Sequence, residues 1–184
     1  MPLYYAGIGS RSAPATICRL MTALASKLAN LDYTLRSGHA DGADYAFELG
    51  ANGQAELYLP WPTFGHERTA YCTQQYSKPA EWTRPIAASH HPHWPYLSTP
   101  VRSLHMRNVH QVLGWDGTEH SQFVVCWTPG AQGGGGTGQA IRVARTYDIP
   151  VYDLAGAHTH ACFKEFMRAS TTLTVPMLMH ALRV

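Results

Sequence analysis

Residues 127–139, with the run Gly133-Gly134-Gly135-Gly136-Thr137-Gly138 at their centre, constrain this chain more than any other stretch. They stand between a continuous apolar segment, Phe123-Val124-Val125-Cys126-Trp127, and an amphipathic segment beginning near Gln139. This order reads as strand, glycine-rich turn, helix. Glycines let backbone N–H groups approach an anion closely, and a helix start adds unpaired donors and the positive end of its dipole. We therefore expect a phosphate-holding turn here. It is not a Walker A loop, because no Gly-Lys-Ser/Thr follows.

The same unit recurs upstream. Leu3-Tyr4-Tyr5-Ala6 is a short apolar strand running into Gly7-Ile8-Gly9-Ser10-Arg11. From Pro14 to about Asn30, Ile17, Leu20, Met21, Leu24, Leu28 and Leu31 recur at intervals of three and four, the period of a helix with one buried face. Tyr33-Thr34-Leu35 is the next strand, followed by a turn over residues 36–44 and a helix over residues 45–49 closed by Gly50. Residues 56–60 form a third strand. Such βαβαβ alternation implies parallel strands joined by right-handed crossovers. Residues 61–103 carry Pro62, Pro79, Pro85, Pro92, Pro95 and Pro100 with Trp61, Trp82 and Trp94, and we expect an irregular, ordered excursion with short helices. Helical spacing returns over residues 104–113 with Gly114 as cap, and after the glycine loop come a helix over residues 139–147 and a last strand over residues 149–154. The expected fold is thus one α/β, Rossmann-like doubly wound domain over residues 1–184, mostly parallel, with helices on both faces and an apolar helical tail over about 157–184.

Composition narrows the classes. Of 184 residues, 45% are hydrophobic and 14% charged, which excludes general disorder. The formal charge of +2 is too small to argue for nucleic acid. Cys18, Cys72, Cys126 and Cys162 form no Cys-x-x-Cys pair, and we expect reduced, mostly buried thiols in a cytoplasmic protein. No apolar run approaches the roughly 18 residues needed to cross a bilayer. The first strand begins almost at the N-terminus, which leaves no room for a targeting peptide. His90-His91-Pro92-His93 and His158-Thr159-His160 lack a helical ligand pair with a nearby carboxylate, so we expect polar loop histidines and no metal. No cofactor is expected, and the apolar tail and aromatic excursion suggest a homo-oligomer.

The three turns follow parallel strands and gather at the carboxyl edge of the sheet, where doubly wound proteins bind ligands. Arg11 offers a fork of donors to a phosphate. Ser37, Gly38 and Gly42 offer anion-binding N–H groups, and Asp44 either caps its helix or accepts a ribose hydroxyl. Arg107 and Asn108 point to different helix faces, so that one contacts ligand while the other packs or caps.

Gly9-Ser10-Arg11, Ser37-Gly38-x-Ala40-x-Gly42-Ala43-Asp44 and Gly135-Gly136-Thr137 together resemble the SLOG superfamily, the Rossmann-like fold of DNA-processing protein A and the Lonely Guy phosphoribohydrolases. Tyr4-Tyr5-Ala6-Gly7-Ile8-Gly9-Ser10-Arg11 and Leu104-His105-x-Arg107-Asn108 look like small stand-alone members found in phages and prophages. The resemblance implies a pocket for a nucleotide-derived small molecule, ADP-ribose-like or a cyclic nucleotide. The implied contacts are Gly9, Ser10, Arg11, Ser37, Gly38, Asp44, Arg107, Asn108, Gly134, Gly135, Gly136, Thr137 and Gln139. A phage-encoded member would use it to sequester a signal. Lonely Guy enzymes carry a catalytic glutamate where this chain has Gln139, and an amide cannot act as general base or stabilise an oxocarbenium centre by charge. An N-glycosidic hydrolase would need Asp41 or Asp44 in its place. The DNA-processing branch implies single-stranded DNA as a further partner.

Overall fold

The computed structural model describes residues 2–168 and Met177. Six strands form one parallel sheet in the order β4-β3-β2-β1-β5-β6. They are β1 (Leu3–Gly7), β2 (Tyr33–Ser37), β3 (Ala55–Tyr58), β4 (Gln74–Tyr76), β5 (Val124–Cys126) and β6 (Val151–Asp153). Helices α1 (Ala15–Ala29), α2 (Ala43–Gly50) and α6 (Ala157–Arg168) cover one face. On the other lie α3 (Thr83–Ser89), α4 (Thr99–Leu113) and α5 (Gly135–Thr146). The expected doubly wound architecture is what forms. Among the described residues no helix is long and apolar enough to cross a membrane.

Strand periodicity assigns side chains to the two cores. Tyr5 and Val125 face the α1–α2–α6 layer with Leu35, Phe47 and Phe123. Ala6, Val124 and Cys126 face Met106, Val109, Ile141 and Val143 of the other layer. Because β1 and β5 are buried on both faces, they read as continuous apolar runs instead of alternating ones. Fully burying each such aliphatic or aromatic side chain contributes about 1.5–3 kcal/mol.

The structure corrects the excursion in two places. Residues 74–76 form an edge strand in register with β3, pairing Tyr58 with Tyr76. Gln74 and Gln75 are exposed, so no apolar pattern announces this strand. Helix α4 begins at Thr99, not at 104, and Pro100 occupies its first turn, where a missing N–H costs nothing. Likewise α5 begins at Gly135, inside the glycine run, and not at Gln139. Leu31 lies beyond α1 and is exposed. The four cysteines are free thiols, with only Cys126 buried and the others half-buried. Of the expected tail, α6 supplies Phe163 and Phe166 to the core, whereas the Leu173 to Leu182 run, Met177 apart, lies outside the described residues.

Two buried imidazoles tie the excursion down. His39 Nδ1 stands 2.6 Å from Glu48 Oε2, and Glu48 Oε1 accepts the Tyr71 N–H at 2.8 Å. His110 Nε2 accepts the Ala80 N–H at 3.0 Å, so its proton resides on Nδ1, which donates to the Gly114 carbonyl at 2.9 Å. Their linkages to pH have opposite signs. Glu48 holds His39 above its ordinary value, so its contribution is full below the unfolded pKa and fades as pH rises through the folded one. Burial drives His110 from 6.5 down to about 4, so the unfolded chain binds more protons between these values and stability falls as pH falls through that window. Unfolding free energies from urea titrations across it should decline by up to about 3 kcal/mol for this histidine. His110→Gln should flatten the decline, and an unchanged slope would refute the assignment.

Candidate functional site

The chain steps outward from β1 to β4, then crosses back through α3 and α4 to β5 on the other side of β1. Connections leaving β1 and β5 therefore diverge, and a crevice opens at their carboxyl ends, the switch point of the sheet. A cleft of about 470 Å³ lies there. Its floor and one side come from Gly9, Ser10, Arg11 and the loop from Thr128 to Thr137, and α4 forms the opposite wall.

The β1 and β2 turns are locked together by Asp44. Its carboxylate is 3% exposed, accepts the Gly9 N–H at 3.2 Å, is bonded by the Ala40 backbone and pairs with Arg107 Nη1 at 3.1 Å. Burial pushes this carboxyl up and the Arg107 guanidinium down, each opposed by its partner's charge. Gly38 serves the same contact. A Cβ there would lie 1.1 Å from Arg107 Nη1, so only glycine lets the guanidinium reach Asp44. Gly9 is also confined, since a Cβ there would lie 2.6 Å from the Ala43 Cβ.

The glycine loop is shaped by residues that carry no motif. Thr128 Oγ1 donates to Asp153 Oδ2 at the end of β6 and accepts the Gly133 N–H at 3.0 Å, while the Thr128 N–H reaches Asp153 Oδ1 at 3.1 Å. A Cβ at Gly138 would sit 1.8 Å from the Gly133 carbonyl oxygen, so the loop folds directly onto the helix. By contrast, nothing lies within 4 Å of a Cβ at Gly134, Gly135 or Gly136, and Gly135 holds φ of 62°. The first turn of α5 is thus uncovered on its Cβ side by the described residues, and the first N–H groups of any helix lack intrahelical partners.

Helix α4 adds a polar stripe at three-residue spacing. Asn108 Nδ2 donates to the Gly136 carbonyl at 3.0 Å and to Gln139 Oε1 at 3.2 Å, fixing α4 against the loop. His105 and Gln111 flank it on the cleft wall, and His105 Nδ1, Gln111 Nε2 and Arg107 Nε are buried without a partner. Burial holds His105 at about 4, aided by His91 and opposed by a hydrogen bond with Gln139. The sequence does not single out Gln111, and it presents His91 and His105 only as a loop histidine and as part of the α4 motif; the i, i+3, i+6 stripe of His105, Asn108 and Gln111 is the signal that could have found the α4 residues.

The structure places Gly9, Ser10, Arg11, Asp44, Arg107, Asn108, Gly134, Gly136 and Thr137 on the cleft. Four expected contacts lie off its lining. Ser37 is buried and donates to the Gly7 carbonyl at 2.7 Å, Gly38 clears Arg107, Gly135 starts α5, and Gln139 is fully buried behind Asn108. Asp44 does not cap α2 by its side chain; the cap position is Gly42. Asp41, a candidate acid, is exposed and pairs with Arg68 outside the cleft lining. Among the described residues no three His, Cys, Asp or Glu side chains are grouped to hold a metal ion.

Asp44→Asn removes the counter-charge of a buried guanidinium and should destabilise the fold by about 3–5 kcal/mol, with Asp44→Asn/Arg107→Met recovering part of the loss. Urea unfolding of the three proteins checks this, and an Asp44→Asn midpoint equal to wild type would exclude a stabilising pair.

No protein-family model matches the chain, and no curated protein does. Among solved structures, DNA processing protein A from Helicobacter pylori, described for its single-stranded DNA binding mode, superposes with a TM-score of 0.59 at 17% identity, over 99% of this chain and 81% of that one. TM1055, a structural-genomics target, superposes with a TM-score of 0.50 at 17% identity, over 82% of this chain and 72% of that one. Taken with the strand order, these likenesses show that the chain shares the Rossmann-like fold of DNA processing protein A and of TM1055.

Proposed function

We propose that the cleft binds a nucleotide-derived small molecule, ADP-ribose-like or a cyclic nucleotide, with a phosphate seated on the first turn of α5 beside Arg11. The observation that carries this is the open space over Gly134 and Gly136 at a helix start, in a cleft at the switch point of the sheet. Helix N–H donors and the helix dipole favour an anion there. The buried, unpartnered polar atoms of His105, Gln111 and Arg107 across the cleft favour a ligand with its own donors and acceptors.

Holding fits this site better than cutting. N-glycosidic cleavage needs a carboxylate free to take a proton or face a developing cation. Gln139 has none, Asp41 stands outside, and Asp44 is committed to Arg107 and Gly9. Retention without turnover suits sequestration of a signalling nucleotide. A second reading, binding of single-stranded DNA, is favoured by the Helicobacter pylori neighbour and by Tyr96, 87% exposed beside the Trp94–Arg102 cation–π pair.

Thermal unfolding with ADP-ribose and with cyclic AMP, followed by chromatography of the nucleotide, tests these readings. At about 100 times Kd the midpoint should rise by roughly 5–10 °C with the ligand recovered intact. Gly136→Asp adds a carboxylate in open space, so the fold should persist while the shift disappears. Release of free base would refute pure retention. Salt-sensitive retention of single-stranded DNA with no nucleotide shift would replace the first reading by the second.

A further inference from the structure

Two imidazoles meet on the α4 wall of the cleft. His91, in the segment after α3, and His105 both line it, with ring centroids 4.4 Å apart and planes tilted by 52°. His105 is 6% exposed, Gln139 is its hydrogen-bonding neighbour, and its Nδ1 is buried without a partner among the described residues. The charged groups acting on the pair are Arg107 on α4 and Arg142 on α5, and the His93 ring lies 6.4 Å from that of His91. Arg142 is steadied by donation from its Nε to the His90 carbonyl at 2.9 Å. Across the cleft Arg11 adds a further positive group, and the one carboxylate on the lining, Asp44, is bonded to Arg107 and Gly9. Among the described residues these rings therefore face positive groups and no unpaired counter-charge.

We propose that His91 and His105 form an anion subsite that takes up a proton together with the ligand, adjoining the seat on the glycine loop. The proposal rests on the nucleotide reading of the same cleft and extends it to ligands whose negative charge spans two positions, such as a pyrophosphate. Asn108, three residues beyond His105 and so on the same side of α4, bonds the Gly136 carbonyl, which sets the pair beside the glycine loop. Burial first, and then the neighbouring Arg142 and Arg107 charges, hold these imidazoles below their ordinary value. An anion at the pair supplies the missing counter-charge and raises their proton affinity. By linkage, the group that gains a proton on binding makes binding tighter as pH falls.

Calorimetric titration of the full chain with ADP-ribose between about pH 5.5 and pH 8, where histidine linkage is read, tests this directly. The pyrophosphate diester of ADP-ribose keeps its charge across that range, so the protein is the source of any pH dependence. Heats compared in buffers of different ionisation enthalpy should reveal proton uptake, and Kd should tighten with falling pH, approaching about tenfold per pH unit for one coupled proton. His105→Asn should flatten that slope. His91→Asn, at a half-buried position, should reduce it as well without disturbing the fold. A pH-independent Kd without proton uptake overturns the subsite alone, as does a wild-type slope in both variants. Absence of ADP-ribose binding at every pH overturns the subsite and the nucleotide reading together.

Discussion

The buried contact between Asp44 and Arg107 is the constraint on which the cleft depends. One carboxylate receives the Gly9 N–H, the Ala40 backbone and the Arg107 guanidinium, and so joins the turn after β1, the turn after β2 and helix α4. Desolvation penalises both charges, and the pair persists because each satisfies the other within a hydrogen-bonded frame. Gly38 is part of the same device, since any larger residue would occupy the space of the guanidinium. With these three segments fixed, α4 stands at a set distance from the sheet edge and becomes a wall instead of merely a layer.

The facing side is built with comparable rigidity but from unremarkable residues. Thr128 and Asp153 pin the start of the glycine loop to the end of β6, and Asn108 pins the first turn of α5 to α4. What remains open between these anchors is the space over Gly134, Gly135 and Gly136. The proposed anion seat of backbone N–H groups would benefit from such preorganisation, because donors already held in place lose little entropy when a ligand arrives. The chemistry offered is correspondingly restrained. Among the described residues the lining offers donors and imidazoles, and its carboxylate, Asp44, is paired with Arg107.

Polar groups concentrate on α4 at a cost to stability. His105, Arg107, Asn108, His110 and Gln111 are consecutive or nearly so and all buried. His110 finds partners at both ring nitrogens and acts structurally, closing the excursion through Ala80 and Gly114. His105 and Gln111 retain buried atoms without protein partners, and a buried polar atom left unpaired is destabilising. Such local departures from a satisfied core are the pattern expected where a fold is shaped for a ligand.

The sequence by itself determined the doubly wound class, the glycine-loop position and the convergence of the β1, β2 and β5 turns, because strand–turn–helix alternation is local and parallel crossovers have one hand. Helical and strand periods also located most of the core, from Met21 and Leu24 to Val124 and Val125. Only the tertiary structure decided which motif residues face the cleft. Ser37, Gly38 and Gln139 belong to the motifs yet serve the Gly7 carbonyl, Arg107 and Asn108. Asp44 is an ion-pair partner, a role that a distant arginine confers and no local spacing reveals. The edge strand at residues 74–76 and the His91–His105 pair escaped for the same reason. Their contacts join segments far apart in the chain, and burial, charge neutralisation and steric clearance are properties of that assembly rather than of any stretch within it.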